Sequence, residues 1–137
     1  MGRLGPEVER RLRLGWFGSV NEIADLGLQR RKWLDRAVRN PHWSYVEFCE
    51  SFPKPDQLKS AHEEGWLKET EYEILSELER AIDAYTSPGG KDYDHAAILA
   101  DPAWRAVVAA AERAKQRLLM VVTDDDGRRF LSEPLIV

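Results

Sequence analysis

His62-Glu63 opens like a His-Glu-x-x-His zinc motif, in which two histidines one helical turn apart hold the metal and the glutamate activates water. Trp66 stands where the second histidine belongs, so His62 reads as an exposed helix residue. Asp92-Tyr93-Asp94-His95 offers oxygen and nitrogen donors of the kind divalent cations take. An EF-hand would continue with a central glycine and a terminal glutamate at fixed offsets. Ile98 to Trp104 supply neither, and these acids are expected to cap a helix instead. Gly89-Gly90-Lys91 invites comparison with a phosphate-binding loop, but Tyr85 takes the place of the first glycine and Asp92 that of the Ser/Thr. Asp124-Asp125-Asp126-Gly127 has the acids to attract a cation, and its commoner use is a solvated turn. Cys49 lies between Phe48 and Glu50 with no neighbouring base, as a small buried hydrophobe would. A lone cysteine makes neither an internal disulfide nor a cysteine zinc site.

Binding chemistry is better supplied than catalytic chemistry. The formal charge of −4 is unevenly spread: residues 1–43 carry net +4, residues 44–101 net −9 and residues 102–137 net +1. An acidic block of that size repels nucleic acid and steers a basic partner toward it; its bland use is to keep a helix face solvated. Arg30, Arg31, Lys32, Arg36 and Arg39, with Trp33 beside them, form the best nucleic-acid candidate, which the overall acidity disfavours. Five tryptophans are enough to dominate a core or an interface. Trp43 and Trp66 stand at helix boundaries, where a half-exposed indole can anchor a partner. They join Glu69, Glu73 and Glu77 as the candidate binding residues.

The elements that must position these groups are helical. Ser19 and Glu22 have the spacing of a capping box and predict a helix from about residue 19 to Val38, with Gly27 as its weak point. Asn40-Pro41 ends it. Ser44 and Glu47 form a second box ahead of a short helix over 45–51, stopped by Pro53 and Pro55. Pro55 is suited to the first helical position of the next segment, which Gly65 terminates. From Glu69 to Tyr85, Ile74, Leu75, Leu78, Ala81, Ile82 and Tyr85 share one face and the glutamates largely another. The Thr86–Lys91 stretch is a loop. A short helix over 93–100 follows, and Asp101-Pro102 starts a long one whose inner face holds Trp104, Val107, Val108, Ala111, Lys115, Leu118 and Val122.

These patterns predict an all-α fold: one domain over 1–137, a compact bundle of five or six helices. Residues 1–18 are expected to pack loosely. Residues 123–137 are expected to form a C-terminal tail, with Asp126-Gly127 as the turn of an optional short β-hairpin. The composition suits a globular protein. No apolar run reaches the roughly 20 residues of a membrane helix, and the N-terminus lacks the apolar core of a signal peptide, so a cytoplasmic protein with no membrane partner is expected. No cofactor is indicated.

The function expected is a protein-interaction module that binds a basic partner through the acidic middle helices. A bacterial immunity or antitoxin-like protein, acting as acidic inhibitors of basic nucleases do, is its concrete form. The alternative is a small metal- or ligand-binding helical-bundle enzyme using Asp and Glu from facing helices, although no carboxylate pair is marked out. The alanine-rich face of the last long helix suits a homodimer as well as a monomer.

Overall fold

The computed structural model describes residues 5–35 and 44–133. Eight α-helices and one 3-10 turn form among them, and no strand. The all-α fold expected from the periodicities is the one observed. It contains two helices more than the six read from the sequence, because the first long helix is two helices and because Asp125–Ser132 is helical.

Helix α1 spans Pro6–Ile23, thirteen residues earlier than the Ser19 box implies. Pro6 takes the first helical position, where its missing N–H costs nothing, and Glu7 and Glu9 place negative charge at the positive end of the helix dipole. Leu14, Trp16, Phe17, Val20 and Ile23 are buried along it, so the loosely packed segment expected over 1–18 is, from Pro6 on, a core helix. Ser19 is not a cap but an interior residue, its hydroxyl donating to the Ser51 carbonyl at 3.2 Å.

The break after α1 has a definite cause. Asp25 accepts from the Leu28 N–H at 2.9 Å and so caps α2, Leu26–Trp33. Gln29, fully buried, donates to the carbonyls of Glu22 at 3.1 Å and Ile23 at 3.0 Å, satisfying the end of α1, and accepts from the Trp104 indole N–H at 2.9 Å. The rest of the expected helix, with Arg36, Arg39 and the Asn40-Pro41 stop, lies outside the described residues.

Ser44 accepts from Glu47 N–H at 3.2 Å and caps α3, Tyr45–Glu50. Helix α4, Pro55–Glu63, begins on its proline, and Gly65 follows it with φ at 85°, in the left-handed region where glycine is the natural occupant. Helix α5 spans Glu69–Ala84; the Pro88–Gly90 turn leads to α6, His95–Ala100, capped by Asp94, and to α7, Pro102–Val121, capped by Asp101. The last helix, α8, Asp125–Ser132, replaces the expected hairpin and tail. Asp124 accepts from Gly127 N–H at 2.8 Å as its N-cap, and Asp125 and Asp126 sit in its first turn.

Helix α7 is the axis of the bundle. Trp104, Val107, Val108, Ala111, Ala114 and Leu118 are buried between α5, which presents Ile74, Leu75 and Leu78, and α1, which presents Phe17 and Val20. Full burial of a side chain the size of Phe17 or Leu118 contributes about 2 to 3 kcal/mol. Helix α8 packs on α1 and α7, and α4 on α5. Among the described residues no helix is long and apolar enough to cross a membrane.

Candidate partner-binding surface

A groove opens between α1 and α4, closed at one end by the α4–α5 connection. Its base is apolar, with Leu12 and Trp16 from α1, and Trp66 lies against Trp16 at a ring separation of 5.3 Å and a tilt of 32°. Asp56, Ser60 and Glu64 line it at four-residue intervals along one face of α4. Its volume is about 260 Å³. Trp66 is half-buried, and its indole N–H donates to Glu64 Oε1 at 3.2 Å. That bond orients both groups and leaves the second carboxylate oxygen of Glu64 without a protein donor among the described residues.

Arginines on the neighbouring faces of α1 are already committed. Arg10 pairs with Asp126, and Arg11 approaches Glu7 at 3.8 Å. Arg13 makes a double fork, to Glu71 at 3.0 and 2.8 Å and to Asp124 at 3.1 and 3.0 Å, with its guanidinium 4.6 Å from the Phe17 ring centre. Burial disfavours the charge on Arg13, but the hydrogen bonds to the two carboxylates outweigh it and hold its pKa above the ordinary value. Arg13 in turn holds Asp124 below the usual carboxylate range. This network ties the N-termini of α5 and α8 to α1 and commits four of the five Arg13 N–H groups to carboxylates.

Of the residues marked in the sequence, Glu69 and Glu73 are exposed on the first turns of α5, and neither carries an ion pair among the described residues. Glu77, also exposed, is bound by Arg117 of α7 at 2.9 Å, and that hydrogen bond lowers its pKa. Trp66 lies in the groove, whereas Trp43 lies outside the described residues. Asp56, Glu64, Leu12 and Trp16 were missed. The i, i+4, i+8 spacing of Asp56, Ser60 and Glu64, with a tryptophan two residues beyond, was the available signal.

A second cavity, about 190 Å³, is bounded by Tyr45, Cys49, Phe52, Ile82 and Tyr85, with Glu79 and Asp83 at its margin. Burial pushes the Cys49 thiol up to about 12, so it stays protonated at neutral pH and offers no thiolate. Tyr85 donates to Asp101 at 2.9 Å, and burial raises the pKa of both tyrosines. His95 is half-buried beside Trp33 and accepts from the Tyr45 N–H at 3.3 Å through Nε2. Asp92 accepts from Ser87 at 2.6 Å and Asp94 caps α6, so the Asp92–His95 stretch is spent on local structure. His62 is half-buried and stacked on Tyr72 at 4.5 Å, not exposed. Among the described residues no three His, Cys, Asp or Glu side chains gather as a metal site. The chain matches no protein-family model, no curated protein and no solved structure.

Proposed function

We propose that this protein is a binding module for a basic protein partner, with the α1–α4 groove and the exposed acids of α5 as its docking surface. One observation carries this reading: a half-buried tryptophan, Trp66, is seated on a buried one, Trp16, in a groove lined by Asp56 and Glu64. Apolar area beside unpaired carboxylates suits a lysine- or arginine-rich surface, because the aromatic anchor supplies desolvated contact and the acids supply steering and register. Glu69 and Glu73 extend the negative charge from the connection that carries Trp66 onto α5. An immunity- or antitoxin-type inhibitor of a basic toxin is the concrete form that fits this charge.

The test is capture from the native host's lysate on immobilised protein, wild type beside a Glu64→Lys/Glu69→Lys variant, at low and moderate salt. Both side chains are exposed, so the variant keeps the fold. The expected result is a stoichiometric basic protein, released as salt rises and not retained by the variant. A partner that is acidic, or that the variant holds equally well, overturns the proposal.

A further inference from the structure

The α1–α4 groove has a more specific chemistry than general attraction to basic surfaces. We infer that it is a receptor for an arginine side chain, whose guanidinium lies on the Trp66 indole and donates to the open carboxylate oxygen of Glu64, within a segment that places a second cation at Asp56. The inference rests on the binding-module reading and names the feature of the partner that is recognised.

Four observations support it. Trp66 is held in place from both sides, by Trp16 beneath it at 5.3 Å and by the indole hydrogen bond to Glu64 at 3.2 Å, so an incoming planar cation meets a preorganised face. Glu64 has one carboxylate oxygen engaged at the indole's N–H edge, and its other oxygen has no protein donor among the described residues. An ammonium can use the charge, but only a guanidinium can stack flat on the ring and still direct N–H groups at the carboxylate in its plane. The nearby arginines Arg10, Arg11 and Arg13 of α1 all have carboxylate partners, and among the described residues no cation lines the groove. The groove volume of about 260 Å³ accommodates one long side chain with part of its backbone.

Spacing sets the length of the recognised motif. Asp56 and Glu64 are eight residues apart on α4, about 12 Å along the helix at 1.5 Å per residue. An extended chain advances about 3.3 Å per residue, so the two cations should be roughly four residues apart. The ligand class is therefore an extended basic segment of the form Arg-x-x-x-Arg/Lys with small intervening residues.

The test uses full-length protein and short Gly/Ser peptides carrying two cations about four residues apart, read by quenching of tryptophan emission and by calorimetry at low salt. The diarginine peptide is expected to bind. Replacing the arginine at the Trp66 end by lysine should weaken it about tenfold, and replacing it by the neutral isostere citrulline should abolish binding. Glu64→Gln, an exposed change that leaves the fold intact, should weaken the diarginine peptide about tenfold and lessen its advantage over the lysine peptide. Equal affinity for the arginine and lysine peptides, or indifference to Glu64→Gln, overturns the arginine receptor while leaving a basic-partner module standing. If neither these peptides nor the basic protein from the lysate binds, both readings fall.

Discussion

Gln29 shows how much one polar side chain can organise. Its amide joins three helices by bonding the end of α1 and the Trp104 indole from a fully buried position in α2. Gln29→Ala leaves the Ile23 carbonyl and the Trp104 indole N–H without partners in a dry site, while the Glu22 carbonyl keeps the Asp25 N–H, and should cost about 2 to 3 kcal/mol in a urea titration. A loss below about 1 kcal/mol would mean that water replaces the amide. Arg13 and Glu71 make a stricter case, since Glu71 is wholly buried and Arg13 nearly so. Glu71→Gln leaves the guanidinium with Asp124 as its one remaining carboxylate and should destabilise by about 1 to 3 kcal/mol, whereas replacing Arg13 and Glu71 together by apolar residues of similar size should cost less. Comparing the single and double variants separates the value of the pair from the penalty of leaving Arg13 with Asp124 alone. Neither role was legible in the sequence. A glutamine amid arginines and a glutamate on an acidic helix look like surface residues, and only tertiary packing turns them inward.

Helix identity was legible wherever a cap and a breaker coincided, as at Ser44, Pro55, Gly65 and Asp101-Pro102, because those signals are local and each satisfies backbone groups that any helix end leaves open. It failed where a local pattern had two solutions. Ser19 and Glu22 stand three residues apart, which is the spacing of a capping box and also of neighbours inside a helix, and the burial of Trp16, Phe17 and Val20 decides for the interior. Asp126-Gly127 reads as a hairpin turn in isolation, but Asp124 caps the segment as α8. Two glycines of these misread segments, one in each, give opposite predictions. Gly15 lies exposed in α1 with nothing within 4 Å of the position a methyl group would take, so Gly15→Ala should stabilise by about 0.5 to 1 kcal/mol through helix propensity alone. Gly127 also lies in a helix, yet a Cβ there would come within 2.7 Å of Val122 Cγ1 and 2.8 Å of the capping carboxylate of Asp124. Gly127→Ala should therefore destabilise by about 1 to 3 kcal/mol despite its better propensity, and thermal melts of the two variants decide the point. Of the candidate surface, Trp66 and the acids of α5 could be picked out by residue type. The groove could not, because it depends on Leu12 and Trp16 of a helix that Pro6 starts with no side-chain cap.

At the scale of the molecule, the three charge blocks of the chain fold onto one another. Arginines of α1 and α7 reach carboxylates of α5 and α8, and Asp56, Glu64, Glu69 and Glu73 are among the acids left without an ion pair among the described residues. Proton linkage should give stability two opposing slopes. Burial raises Glu22 from its ordinary 4.5 to about 7, so the folded state holds a proton there that the unfolded chain releases, and stability falls as pH rises from 4.5 through 7. Burial lowers His95 below its ordinary 6.5, and its Nε2 is occupied in accepting from Tyr45. The unfolded chain then binds the extra proton, and stability falls as pH drops below 6.5 toward the folded value. Asp124, lowered below 3.8 mainly by the Arg13 hydrogen bond, adds a further loss under strong acid, as the carboxylate that caps α8 and accepts from Arg13 is protonated. Glu22→Gln isolates the first slope. It should leave the melting temperature unchanged below pH 4.5, where both side chains are neutral in either state, and stabilise by about 2 kcal/mol at pH 8. A variant whose melting curve parallels the wild type from pH 4 to pH 8 would show that Glu22 ionises in the folded protein as freely as in the unfolded chain. The alkaline slope would then belong to another group.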